Sequence, residues 1–350
     1  MNIELIKQEL DDNRRSVSFD SYDITVRQLI DMIIEGTIDI SPEYQRHFVW
    51  DEKRQSQLIE SIFLGIPVPS LFMATNKDAT WEVIDGVQRL TTLINFVCSV
   101  EESSNILISP KKSKLSGLEK LSSMNDLFFE DLPKSIQLML LTRPIRLTVL
   151  NDKSDFNVRY DLFERLNTGG VILHPQEIRN CVYLGEFNDF LKECAVDINF
   201  RSVVKTTANA ERSGSFEELT LRFFAYFEAR NEFVHSVQGF LNDYMKSKTL
   251  NFRNKKELQV IFTKVFTLLN TFLPNGIVRG NRVNITPSVL FEAITVGTAL
   301  AIQENEQNVH PERLVDLLND SELKKHTTGA TNNKKTLLIR VEYVRDELLK

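Results

Sequence analysis

The chain has 350 residues, 42% of them hydrophobic, so it can bury a large core, and its length favours two domains over one. A formal net charge of -6 argues against a protein that coats DNA through bulk electrostatics, while leaving room for a local basic surface. No stretch approaches the roughly 20 apolar residues of a membrane span, and Met1-Asn2-Ile3-Glu4 lacks a basic-then-apolar signal pattern, so a cytoplasmic protein with no membrane association is expected.

The first clear helix opens at Thr25, with Gln28 as its capping-box partner, and stops at Gly36. Val26, Leu29, Ile30, Ile33 and Ile34 fall on one face of it, which packs on a core. Ser41-Pro42-Glu43-Tyr44-Gln45-Arg46-His47-Phe48-Val49-Trp50 reads as extended, because Pro42 disfavours helix before it. A second helix, capped by Asp51, turns Leu58, Ile59, Ile62 and Phe63 inward and ends at Gly65. Pro67 and Pro69 then impose an extended approach to a strand from Ser70 to Thr75, and a hairpin at Asn76-Lys77-Asp78 leads to a strand from Thr80 to Ile84.

Trp81-Glu82-Val83-Ile84-Asp85-Gly86-Val87-Gln88-Arg89 carries that second strand through an Asp-Gly turn into an amphipathic helix, Val87 to Val97. A helix start presents unpaired N–H groups and a partial positive charge, which together receive an anion. Gly86 lets backbone approach closely, and Arg89 in the first turn offers a planar fork that matches two phosphate oxygens. Asp85 reads as the helix cap or, if a nucleotide brings magnesium, as a carboxylate near the metal. Asp-Gly is also one of the commonest turn dipeptides, and an arginine on a helix turn is often only solvated, so an ordinary turn stays open.

Glu101 to Gly117 is polar and lysine-rich and reads as an exposed loop. The strand Pro144 to Leu150 closes a first domain, residues 1–151. Beyond Asp155 the periodicity is almost wholly helical, over Phe156 to Leu166, Pro175 to Leu184, Phe216 to Arg230, Val237 to Lys246, Lys255 to Phe272, Pro287 to Gln303 and Lys335 to Leu349. The expected fold class is therefore α+β, a mixed α/β N-terminal domain followed by an α-helical domain over residues 152–350.

Cys98, Cys181 and Cys194 are odd in number and widely spaced, so they indicate neither a disulfide framework nor a zinc site and read as small buried residues. Lys111-Lys112-Ser113-Lys114 and the pair Lys324-Lys325-His326 and Lys334-Lys335 are candidate basic surfaces, each more often solvated than binding.

The order helix, Pro-x-Tyr-Gln-Arg, helix ending in Ser61-Ile62, Pro-rich turn, strand, hairpin, strand, Asp-Gly-x-Gln-Arg, helix resembles the N-terminal half of ParB-like proteins, and more closely the GmrSD-type N-terminal domain family. That family carries a Gln-Arg-x-x-Val-Trp signature, seen here as Gln45-Arg46-His47-Phe48-Val49-Trp50, and an Asp-Gly-Gln-Gln-Arg signature, seen here as Asp85-Gly86-Val87-Gln88-Arg89 with Val87 as a departure. Phe163-Glu164-Arg165-Leu166-Asn167-Thr168-Gly169-Gly170-Val171, then Leu173-His174-Pro175-Gln176-Glu177-Ile178-Arg179-Asn180, is similar to a third family segment, with His174 where members usually place a small hydroxyl residue. Taken alone, that segment is equally a plain helix-loop-helix joint, with Pro175 opening the second helix.

The resemblance implies a ParB/sulfiredoxin-like N-terminal domain that binds and hydrolyses a nucleoside triphosphate with Mg2+, in restriction systems attacking modified foreign DNA. It implies Gln45, Arg46, Asp85, Gly86, Gln88, Arg89, Asn167, Glu177 and Arg179 as nucleotide-binding residues, with Asp85, Arg89 and Arg46 catalytic and Asp85 beside the magnesium. Cleavage in the family is commonly supplied by a His-Asn-His nuclease domain. The five histidines here are scattered singly, so the chain resembles the nucleotide-sensing partner of such a nuclease. Two readings compete: an NTP hydrolase gating nuclease action on DNA, and a ParB-like nucleotide-switched DNA-binding adaptor without significant hydrolysis. A sulfiredoxin-like reductase is set aside, because the nearest thiol, Cys98, lies more than two helical turns beyond Arg89.

Overall fold

The computed structural model describes residues 3–13, 19–40, 48–76, 78–151, 156–166, 173–280, 284–329 and 331–350. The chain forms two compact units, Met1–Ile172 and Leu173–Lys350.

In the first unit, α1 (Ile3–Asn13) precedes β1 (Phe19–Thr25) and α2 (Val26–Ile34). The Thr25 hydroxyl accepts from Gln28 N at 3.2 Å, and Val26, Leu29, Ile30 and Ile33 are buried, as the periodicity predicts. After β2 (Ile38–Asp39) comes α3 (Glu52–Leu64), whose Asp51 cap accepts from Arg54 N at 2.7 Å and whose Gly65 terminates it in the left-handed region. β3 (Leu71–Thr75), β4 (Trp81–Asp85) and α4 (Val87–Val97) follow where the apolar runs and the Asp-Gly turn put them. β5 (Pro144–Leu150) pairs antiparallel with β1 and parallel with β3, β3 pairs antiparallel with β4, and β4 pairs parallel with β2. The sheet order is β1-β5-β3-β4-β2, with Leu71, Met73, Val83, Ile145, Leu147 and Val149 buried in it.

The polar stretch after α4 departs from the expected exposed loop. Ser99 and Glu102 make a reciprocal capping box for α5 (Val100–Ser104), and Leu107 and Leu115 are buried. The lysines there are not a free basic surface: Lys111 pairs with Glu52 at 2.7 Å, Lys114 with Asp126 at 2.6 Å, and Lys112 with Glu130. The dense charge hides a segment tied down by local pairs. A further helix, α6 (Lys134–Leu141), precedes β5, and α7 (Phe156–Leu166) completes the unit, with Arg159 donating to the carbonyls of Thr75 and Asn151.

The second unit is helical throughout its described residues, with α8 (Pro175–Val182), α9 (Glu186–Ala195), α10 (Ile198–Val203), α11 (Ala208–Arg212), α12 (Ser215–Ala229), α13 (Val237–Leu250), α14 (Lys255–Phe272), α15 (Ser288–Asn305), α16 (Leu314–Asn319), α17 (Ser321–Thr327) and α18 (Lys334–Leu348). Phe200, Phe223, Phe224, Phe262, Phe266 and Phe291 form a continuous aromatic core of mostly edge-to-face and tilted pairs. The buried helix α15 lies against α18, and a Cβ on Gly297 would come 2.5 Å from Val344 Cβ, so only glycine permits that approach. The helices α9, α10, α11, α16 and α17 lie outside the predicted set. Of these, α10, α11, α16 and α17 are seven residues or fewer and too short to establish a period, whereas α9 carries Phe187, Phe190, Leu191, Cys194 and Ala195 at helical spacing, a signal present in the sequence that the predicted set omits.

Among the described residues no helix is long and apolar enough to cross a membrane. All three cysteines are buried and free.

Candidate functional site

β4 ends at Asp85, opposite Phe72 of β3, and the chain turns through Gly86 into α4. Gly86 is the residue that caps α4, with φ 115° and ψ 7°, and no side chain bonds the helix start. Asp85, expected as the cap, is drawn away to a different partner. A Cβ on Gly86 would lie 2.3 Å from Leu71 Cδ2, inside a buried side chain, and its φ is one that other residues rarely adopt. Backbone dihedral and packing both demand glycine. The outcome is an 11-residue helix whose start is left to its own backbone amides, the arrangement that receives an anion.

Arg89 lies under this turn and is 9% exposed. Its Nη2 donates to Asp85 Oδ2 at 2.8 Å, while Nη1 donates to the Pro69 carbonyl and, at 3.2 Å, to the Ser70 carbonyl. This corrects the expectation of a fork held out toward an anion. The guanidinium instead braces the turn against the strand-entry segment of β3, and places a positive charge beneath the amides. Burial lowers the Arg89 pKa and the Asp85 carboxylate opposes that shift, yet an arginine stays charged at any pH the protein meets. The Asp85 side chain is 39% exposed, so the pair is closed on one side and open to solvent on the other.

Gln88 has a defined partner. Its Oε1 accepts from Val49 N at 3.0 Å and from Trp50 N at 3.2 Å, tying the end of the Gln-Arg-x-x-Val-Trp stretch to the first turn of α4. The tie continues into α3, where Gln55 Nε2 donates to the Trp50 carbonyl at 2.8 Å and the Arg54 guanidinium sits over the Trp50 ring, 4.8 Å from its centroid.

Beside the turn is a cavity of about 520 Å3, walled by Gly65, Pro67, Pro69, Ser70, Arg143 and the bidentate pair of Arg146 with Asp23. Pro69 and Ser70 serve both features, lining the cavity and holding Arg89 through their carbonyls. Arg143 donates to the Phe63 carbonyl at 3.0 Å, bonding the C-terminal end of α3. Nothing in the sequence marks Arg143 as a wall of this site, because it enters from the residue just before β5, more than 70 residues downstream of Pro69.

Of the residues proposed for nucleotide binding, the structure brings Asp85, Gly86, Gln88 and Arg89 together on one turn. Gln45, Arg46 and Asn167 lie outside the described residues. Glu177 and Arg179 belong to the second unit. There Glu177 accepts from the backbone N–H of His174 at 2.7 Å, capping α8 from its first turn. Arg179 is buried, donating to Asn242 Oδ1 at 2.8 Å, Gln176 Oε1 at 3.0 Å and Glu218 Oε2 at 3.4 Å. Among the described residues no group of three or more His, Cys, Asp or Glu is placed to hold a metal ion.

A solved structure with partial likeness is "Structure of the C2221 form of Pnob8-like ParB-N domain", at 13% identity and a TM-score of 0.23, covering 95% of this chain and 97% of that one. No curated protein matches the chain. The family described as "GmrSD restriction endonuclease, N-terminal domain" matches residues 26–184, a span that holds the β3–β4 hairpin, the Asp85–Arg89 turn and the Gln88 tie. Over residues 26–184 this chain is thus similar to the GmrSD restriction endonuclease N-terminal domain.

Proposed function

We propose that the chain is a nucleotide-binding, NTP-hydrolysing subunit of a prokaryotic defence system of the modification-dependent restriction type, acting on foreign DNA with a His-Asn-His nuclease as partner. The observation that carries this reading is the start of α4: a left-handed glycine where no side chain fits, no side-chain cap, and a buried guanidinium directly beneath. A triphosphate delivered there meets backbone donors and the positive end of the helix, with Arg89 adding charge. The neighbouring cavity of about 520 Å3 gives room for the rest of a nucleotide beside the turn. A magnesium ion arriving with the nucleotide needs only one or two protein carboxylates, and the half-open Asp85 fits that need. Its engagement there would weaken the hold of Asp85 on Arg89 and free the guanidinium for the phosphates.

One observation favours the second reading, a nucleotide-switched DNA-binding adaptor without significant turnover. The donors of Arg89 are occupied by Asp85 and two carbonyls, an arrangement better suited to bracing a bound nucleotide than to stabilising a transferring phosphoryl group. Release of labelled phosphate from each of the four NTPs, with magnesium and DNA present, separates the two. Hydrolysis predicts release that Arg89→Lys reduces at least tenfold while circular dichroism stays that of the wild type, since lysine keeps the charge and loses the fork. Binding of an NTP without release identifies the adaptor.

A further inference from the structure

We propose that Gln88 is a positioning residue: its side-chain oxygen clips Val49 and Trp50 to the first turn of α4, so that the Gln-Arg-x-x-Val-Trp and Asp-Gly-x-Gln-Arg stretches work as one unit. Its role in nucleotide binding rests on the reading of the preceding subsection; the clip does not. Two N–H donors from successive residues converge on one atom, at 3.0 and 3.2 Å, and only the oxygen of the amide can accept both. Consecutive backbone N–H groups of an extended strand point to opposite sides, so their convergence marks a local bend at Val49–Trp50 rather than a strand that Gln88 merely touches.

The bend is held from both directions. Gln88 takes the two N–H groups, and Gln55 gives its side-chain N–H to the Trp50 carbonyl, so the backbone of Trp50 is gripped on its N–H side by α4 and on its carbonyl side by α3. The Gln88 backbone is fixed in turn, because its carbonyl accepts the Thr92 hydroxyl at 2.7 Å. Val49 is itself exposed and buries little, so its own side chain does not hold its backbone in place. The clip secures the chain three residues downstream of Arg46, and it does so from the residue next to Arg89. A glutamine there spends its acceptor on the protein rather than on a phosphate, which already has the helix amides.

The test is amide hydrogen exchange at Val49 and Trp50, read by NMR on the full chain, alongside nucleotide titration. Gln88→Met keeps the length of the side chain and removes the acceptor. It should raise exchange at both amides at least tenfold, leave the exchange of the α4 core unchanged, and weaken NTP binding about tenfold. Gln88→Glu restores an acceptor oxygen, so protection of Val49 and Trp50 should return; if the residue contacted phosphate instead, this variant would abolish NTP binding without touching either amide. Unchanged exchange in Gln88→Met overturns the clip. Lost protection with undiminished NTP affinity overturns its positioning role. If the wild type binds no NTP, the nucleotide reading fails and the positioning role with it, while the two amides still decide the clip.

Discussion

Two buried arginines show how the same side chain is put to different ends in the two units. Arg340 is 1% exposed and donates to Glu292, itself 1% exposed, and to the Thr331 carbonyl at 3.0 Å. Glu292 also receives Arg222 at 2.7 Å, and Arg222 reaches Glu218, which in turn receives Arg179. This chain of pairs crosses α8, α12, α15 and α18 inside the second unit, and at its centre the Arg340 and Glu292 side chains are each 1% exposed, so solvent does not compete for that pair. Arg89 has one carboxylate, from the last residue of β4 and half open to water, with backbone carbonyls for the rest. A pair closed on all sides holds helices together, whereas a pair open on one side can be rearranged by whatever arrives there.

The largest expected effect breaks the closed network. Glu292→Gln is nearly isosteric but leaves Arg340 charged without its carboxylate, and should cost about 3–5 kcal/mol in a denaturant titration followed by circular dichroism. Asp85→Asn, by contrast, removes a half-exposed partner and should cost about 1 kcal/mol or less. A comparable loss in both variants would erase the distinction between the two arginines.

The next effect sharpens the account of the turn. Gly86→Ala forces a Cβ into Leu71 at a positive φ, and should destabilise the first unit by about 1–3 kcal/mol. Gly36 is also at positive φ, 75°, but has nothing within 4 Å of a built Cβ, so Gly36→Ala should lose only the conformational cost, about 1 kcal/mol. Thermal melts of the two variants side by side measure the packing contribution as their difference. Equal shifts would mean that Leu71 does not require the glycine.

The smallest effect concerns Cys98 at the end of α4. Burial first, then the nearby Glu102 and Asp31 carboxylates, push its thiol up to about 11. Because the charged form of a thiol is the deprotonated one, burial raises the pKa, and the reactive thiolate is only about one part in a thousand at pH 8. Alkylation by iodoacetamide should therefore be far slower than for free cysteine and should quicken as pH rises through 10. Rapid labelling at pH 8 would show an exposed, acidic thiol instead.

Much of the first unit was legible because its signals are local. Thr25, Asp51 and Gly65 act on residues within one turn, and the Asp85-Gly86 pair marks the strand-to-helix transition by itself. What stayed hidden depends on partners distant in sequence. Nothing near Arg89 announces that its donors end on Pro69 and Ser70, and nothing near Gln88 announces Val49 and Trp50. The basic residues stay ambiguous for the same reason: in sequence Lys111, Lys112 and Lys114 are a candidate basic surface more often solvated than binding, and each has an acidic partner that composition alone cannot assign. In the second unit the long periodic helices were readable, whereas the interior network of Arg179, Glu218, Arg222, Glu292 and Arg340 looks in sequence like solvated charge on helix faces.

The central claim is that the amides opening α4 receive the phosphates of a nucleotide. Crystals grown with magnesium and a non-hydrolysable nucleoside triphosphate test it most directly. The account predicts phosphate oxygens within hydrogen-bond distance of the backbone N–H groups of residues 87–89, with the Arg89 guanidinium turned from Asp85 toward them. Nucleotide bound elsewhere, with the Asp85–Arg89 pair intact and the α4 amides facing only water, would contradict it.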